Sequence, residues 1–126
     1  MRKPISPTLH GVLDYATVAA TAAAPTLLRF SPRATRLAYG LAGSYLGLSL
    51  LTDYPLAARR TIPFKGHGIA EGAIGAALPA LPRALHFSRD RAARNFLIGL
   101  TVVTAVVAAL TDWEGRERWT AARGGW

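Results

Sequence analysis

The chain of 126 residues contains no cysteine, only one methionine, and 7 acidic side chains against 15 Lys and Arg. Without cysteine there are no disulfides, no thiolate metal sites and no c-type haem attachment, and the redox compartment is left open. No nucleophile triad, phosphate loop or nucleotide fingerprint is present; the glycines of "GLAGSYLG", Gly40 to Gly47, lie inside an apolar run. Catalysis would therefore have to depend on a metal. The excess of positive charge does not call for nucleic acid, because most of the basic residues fall in end segments and connecting loops, where Lys and Arg meet lipid head groups.

What is abundant is apolar sequence, 51% of the chain, and it is gathered in blocks. These run from about Thr8 to Leu28, Ala34 to Tyr54, Gly66 to Leu85 and Ala92 to Asp112. Each approaches the roughly 20 residues that cross a hydrocarbon core. In lipid only helices satisfy their own backbone, so the expected class is all-α, a four-transmembrane-helix bundle. A soluble bundle would need a polar face on each helix. The cores "YATVAATAAAPTLL" and "NFLIGLTVVTAVVAAL" carry no charge at any angle. A cleaved signal peptide, with Arg2 and Lys3 as its basic end, is opposed by Asp14 inside the apolar stretch and by a repeat that cleavage would cut.

That repeat organises the chain. Residues 1–57 laid over 58–114 match His10 with His67, Gly11 with Gly68, Asp14 with Glu71, Pro25 with Pro82, Phe30 with Phe87 and Ser31 with Ser88. After a two-residue insertion, Gly40 matches Gly99 and "LTDY" (Leu51 to Tyr54) matches "LTDW" (Leu110 to Trp113). The unit is a helical hairpin used twice, about 6–57 and about 63–114, within a single integral membrane domain that ends in a polar, mobile tail over 115–126. An even number of crossings per unit makes the repeats parallel, related by a pseudo-two-fold axis along the membrane normal.

Local signals set the boundaries. "SPT" and "SPR" each offer a serine N-cap followed by proline at the first helical position, at Ser6 and Ser31. Pro25, Pro79 and Pro82 end or kink the first and third helices. Trp113 and Trp119 are placed at the interface. Small-xxx-small spacings, Gly43 with Gly47 and Gly68 with Gly72, read as packing seams that would also admit a second copy of the chain. His86, alone beside Phe87 and matched with Arg29, reads as an interfacial anchor.

On these residues the chain resembles the bacterial SPW-repeat membrane proteins, in which each unit is a pair of transmembrane helices with a Ser-Pro-Trp element towards the end of the first. Here those positions read "APT" (Ala24 to Thr26) and "LPR" (Leu81 to Arg83), so the proline alone is kept. The resemblance implies a four-helix architecture and a multi-pass place in a bacterial inner membrane. It implies no activity.

Six polar residues gather at one face in this topology: His10, Asp14, Asp53, His67, Glu71 and Asp112. His10 with Asp14 and His67 with Glu71 are i, i+4 pairs, so each projects from one helix face. Ionisable groups at membrane depth are costly and face a bundle interior, where they pair or mark a function. Two imidazoles and four carboxylates suit a divalent metal, zinc, iron or manganese, and four carboxylates would neutralise two ions. The di-iron carboxylate bundles are an analogy, with different spacing and order. Three alternatives use the same residues: a metal-free polar clamp between hairpins, haem held by His10 and His67, and proton or ion transport. Transport lacks a complete path, since the far half offers only Thr17, Thr21, Thr101 and Thr104. The basic residues divide almost evenly between the two faces and give no orientation.

Overall fold

The structure is a computed structural model and describes residues 2–122; the side chain of Trp119, expected at the interface, lies outside the described residues. It is all-helical. Helix α1 runs Pro7–Leu27 and α2 Pro32–Leu51; each starts with proline at its first position, behind a serine whose hydroxyl accepts a backbone N–H, Ser6 from Leu9 and Ser31 from Ala34. Helix α3 is Phe64–Ala77, followed by a 3-10 turn at Leu78–Ala80 and a short α4 at Leu81–Ala84. The expected single third span is thus broken. Pro79 and Pro82 each withhold the N–H that would continue the ladder. Helix α5 is Arg91–Leu110, capped by Asp90, and α6 is Gly115–Ala122.

Of the four spans expected, one meets the test of length and composition among the described residues, α5. The others fall short for visible reasons. Helix α3 has 14 residues, about 21 Å at 1.5 Å per residue. His10, Asp14 and Pro25 interrupt the apolar sequence of α1, and glycine, serine, tyrosine and two arginines dilute that of α2.

The tail also differs from expectation, since its first part is helix α6. Arg116 donates from Nε to Asp53 at 3.1 Å, Arg118 pairs with Asp112, and Lys65 meets Glu117 at 3.0 Å. These ion pairs hold α6 to the chain segments that follow α2 and α5 and to the start of α3.

Helices α1 and α2 pack as one hairpin, and α3 with its 3-10 turn packs against α5. At the end where α2 and α5 begin, the interior is apolar: Ala34, Leu41, Leu78, Phe87, Ala93, Leu97 and Leu100 form one cluster. At the other end two isolated parallel bridges, Thr52 with Ile62 and Thr111 with Ile5, tie the ends of α2 and α5 to the chain entering α3 and α1. Between these bridges the interior is polar.

Candidate metal centre

Helix α1 presents His10 and Asp14 one turn apart, and α3 presents His67 and Glu71 in the same way; all four are buried. Helical spacing alone puts each pair on one face. The tertiary fold then turns the two faces together, so that one ligand atom from each residue lies within 4.8 Å of every other. His10 Nε2 is 3.4 Å from His67 Nε2, 3.4 Å from Asp14 Oδ1 and 3.4 Å from Glu71 Oε2. His67 Nε2 is 3.2 Å from Asp14 Oδ2 and 3.7 Å from Glu71 Oε2.

The far nitrogen of each ring shows which nitrogen carries the proton. His10 Nδ1 lies 2.9 Å from Thr111 Oγ1, and His67 Nδ1 lies 2.7 Å from Thr52 Oγ1. Each threonine already donates its own proton to the carbonyl four residues back, Thr111 to Val107 at 2.5 Å and Thr52 to Leu48 at 2.6 Å. The hydroxyls must therefore accept from Nδ1–H, so Nε2 is the ring atom that each histidine turns towards the cluster. Two Nε2 atoms at 3.4 Å, beside two carboxylates, bring four potential ligand atoms together. Glu71 Oε2, moreover, is buried without a hydrogen-bond partner. Such an arrangement could hold a cation at its centre.

The spacing fits one ion. A tetrahedral site with ligands at about 2.0–2.1 Å separates its donor atoms by about 3.4 Å, the value of the His10–His67 and His10–Glu71 separations, and all four ligand atoms lie within 4.8 Å of one another. Two neutral imidazoles and two carboxylates also neutralise a single divalent ion.

The other two expected ligands stand elsewhere. Asp53 is 39% exposed at its side chain and faces Arg116 and Arg60, while Asp112 is bound by Arg118. The reason is backbone geometry: Thr52 and Thr111 leave their helices in extended conformation, with ψ of 139° and 135°. Successive side chains in extended chain alternate, so the threonine turns inward and the aspartate after it turns out. The ligand set is accordingly smaller than the six residues expected, and a pair of ions sharing four carboxylates does not match it. Haem fits no better, because the gap between the two Nε2 atoms is also lined by both carboxylates and leaves no slot for a macrocycle.

Residues that sequence reasoning passed over complete the centre. Thr52 and Thr111 orient the imidazoles, and Tyr54 donates to Asp14 Oδ2 at 3.2 Å. Phe64 and Trp113 close the cluster over His10, with ring centroids 5.3 and 5.0 Å away. Thr52, Tyr54, Thr111 and Trp113 all belong to the repeated "LTDY" and "LTDW". The repeated His-Gly has a meaning too. A Cβ on Gly68 would lie 2.7 Å from the Trp113 ring, and one on Gly11 would lie 3.1 Å from the Tyr54 ring. The glycine beside each histidine thus admits an aromatic ring to the roof of the site.

Away from the roof, Tyr45, Ser49, Thr21 and Thr104 are buried in the interior, but Thr17 and Thr101 bond the carbonyls of Leu13 and Leu97 in their own helices. The apolar cluster at the α2 start then closes the way.

No protein-family model, curated protein or solved structure matches this chain.

Proposed function

We propose that this protein is a four-helix integral membrane protein, built as two parallel hairpins, that holds one divalent metal ion between α1 and α3 near one membrane face. Zinc, iron and manganese are the ions whose chemistry suits two imidazoles and two carboxylates. A buried site whose four ligands are all protein atoms is a closed one, so the ion acts as a staple between the hairpins.

The observation that carries the metal reading is the approach of His10 Nε2 to His67 Nε2 at 3.4 Å while threonines take both Nδ1 protons. The membrane reading is supported by α5, which carries no charge from Phe96 to Leu110 and leaves most of its apolar side chains there uncovered. A core helix of that composition would be covered. Ile98, Val102, Val103, Val106 and Leu110 on α5, with Val12, Leu27, Tyr39 and Ile69 on the other helices, are all exposed and would meet lipid. For the shorter third crossing, α3, the 3-10 turn and α4 would pass together. The duplicated hairpin is supported by the crossed contacts: each histidine finds its threonine on the other hairpin. A second copy packing on the open glycine face of α2 belongs to the same proposal.

Elemental analysis of protein purified in detergent without added metal tests the centre. The expected result is about one ion per chain in the unmodified protein and loss of it in a His10→Ala, His67→Ala variant. Absence of metal, together with a melting temperature unmoved by zinc, iron or manganese, would leave the cluster as a metal-free clamp.

A further inference from the structure

At the end of the bundle opposite the histidines, the turn between α1 and α2 and the turn between α4 and α5 flank an open surface cavity of about 460 Å³. Its lining includes Arg33, Arg36, Arg89, His86, Ser31 and Asp90. Three arginines therefore line one space that holds a single acidic residue.

Its one negative charge cannot offset three arginines. Asp90 Oδ2 accepts the backbone N–H of Ser31 at 2.6 Å and Oδ1 accepts that of Ala93 at 3.0 Å, so both oxygens are spent on bracing the two turns. Arg33 reaches only the Leu85 carbonyl, at 3.5 Å, and among the described residues neither Arg36 nor Arg89 has a carboxylate within ion-pairing distance. The basic cavity at the other end is the useful contrast. It is lined by Arg2, Lys3, Arg116 and Arg118, but there Arg116 and Arg118 are answered by Asp53 and Asp112. At that end two of the four basic side chains are ion-paired, whereas at this end none of the three arginines is, among the described residues.

Arginines whose forks are not engaged by carboxylates suit a phosphate, whose oxygens accept paired N–H bonds. Basic pockets between helices at a membrane face take lipid phosphates in this way. We propose that this cavity binds a phosphate group, carried by a phospholipid headgroup when the chain is in its membrane. The lipid as source rests on the membrane reading above; the phosphate chemistry does not.

The test uses full-length protein in detergent, titrated with short-chain phosphatidylglycerol and separately with inorganic phosphate, and read by thermal shift and native mass spectrometry. Arg36→Gln with Arg89→Gln should weaken phosphatidylglycerol binding at least about tenfold. The charge-matched pair Arg91→Gln with Arg94→Gln, at the same end but outside the cavity, should change it little. Binding of inorganic phosphate alone, lost in the first variant, would keep the phosphate site and move its source to solution. Binding of neither probe, or equal weakening by both variant pairs, would overturn the site. The unliganded melting temperature and the metal content of each variant serve as folding controls. Failure here leaves the metal centre untouched, because that centre lies at the opposite end of the bundle.

Discussion

Thr52 holds His67 from across the hairpin boundary: its hydroxyl accepts Nδ1–H of the ring at 2.7 Å and passes its own proton to the Leu48 carbonyl. Thr111 does the same for His10. Hydroxyls that fix the tautomer of a ligating imidazole typically contribute 10- to 100-fold in metal affinity. Thr52→Val or Thr111→Val, similar in shape, should therefore weaken metal binding by about that factor, while Thr→Ser at either position restores most of it. Competition with a metallochromic chelator measures this. Unchanged affinity in both valine variants would remove the threonines from the site.

The aromatic roof predicts a graded glycine series. Gly68→Ala brings a methyl to 2.7 Å of the Trp113 ring and should cost about 1–3 kcal/mol, as overpacking does. Gly11→Ala, with its nearest ring atom at 3.1 Å, should cost less. Gly99→Ala meets nothing within 4 Å and should be neutral or stabilising by up to about 1 kcal/mol, the helix preference of alanine over glycine. Denaturation in detergent should reproduce the order Gly68, Gly11, Gly99.

Arg29 and His86 lie in the left-handed region, with φ of 53° and 59°, just beyond the ends of α1 and α4. The amides that follow them, of Phe30 and Phe87, bond back to the carbonyls of Pro25 and Pro82 at 3.0 and 2.8 Å. Glycine is the residue such a helix ending favours, and any other side chain there costs roughly 1–2 kcal/mol. Arg29→Gly should raise the melting temperature. A decrease would mean that the arginine side chain makes a contribution larger than the backbone penalty.

Asp90 links stability to pH. Burial opposes its ionisation, but the amides of Ser31 and Ala93 outweigh that and hold the carboxyl below the usual aspartate range. A depressed folded-state value means that the stabilisation is complete above the unfolded pKa of about 3.9 and is lost as pH falls through the lower folded value. Asp90→Asn keeps a capping oxygen and should flatten this acid limb at small cost near neutral pH. Asp90→Ala should cost about 1–2 kcal/mol, since it frees two amides. Melting curves between about pH 2 and 6 distinguish the three proteins.

Much of this was legible from residue order. Serine followed by proline marks where α1 and α2 begin, and the i, i+4 spacing of His10 with Asp14 and His67 with Glu71 assigns each pair to one helical face, because both signals depend only on neighbours in the chain. The all-helical class follows in the same way from long apolar blocks. What the order of residues could not determine is which side chains turn inward once a helix ends. Thr52 and Asp53 are adjacent, and the same holds for Thr111 and Asp112; the ψ of the threonine decides that it binds a histidine while the aspartate faces an arginine of α6. The break of the third helix was signalled by Pro79 and Pro82, yet its length was set only when α3 packed against α5. The centre itself is a product of tertiary structure, for no local rule brings Nε2 atoms 57 residues apart to 3.4 Å. Two helix faces and two threonines from opposite hairpins must be placed at once, and only packing of the whole bundle does that.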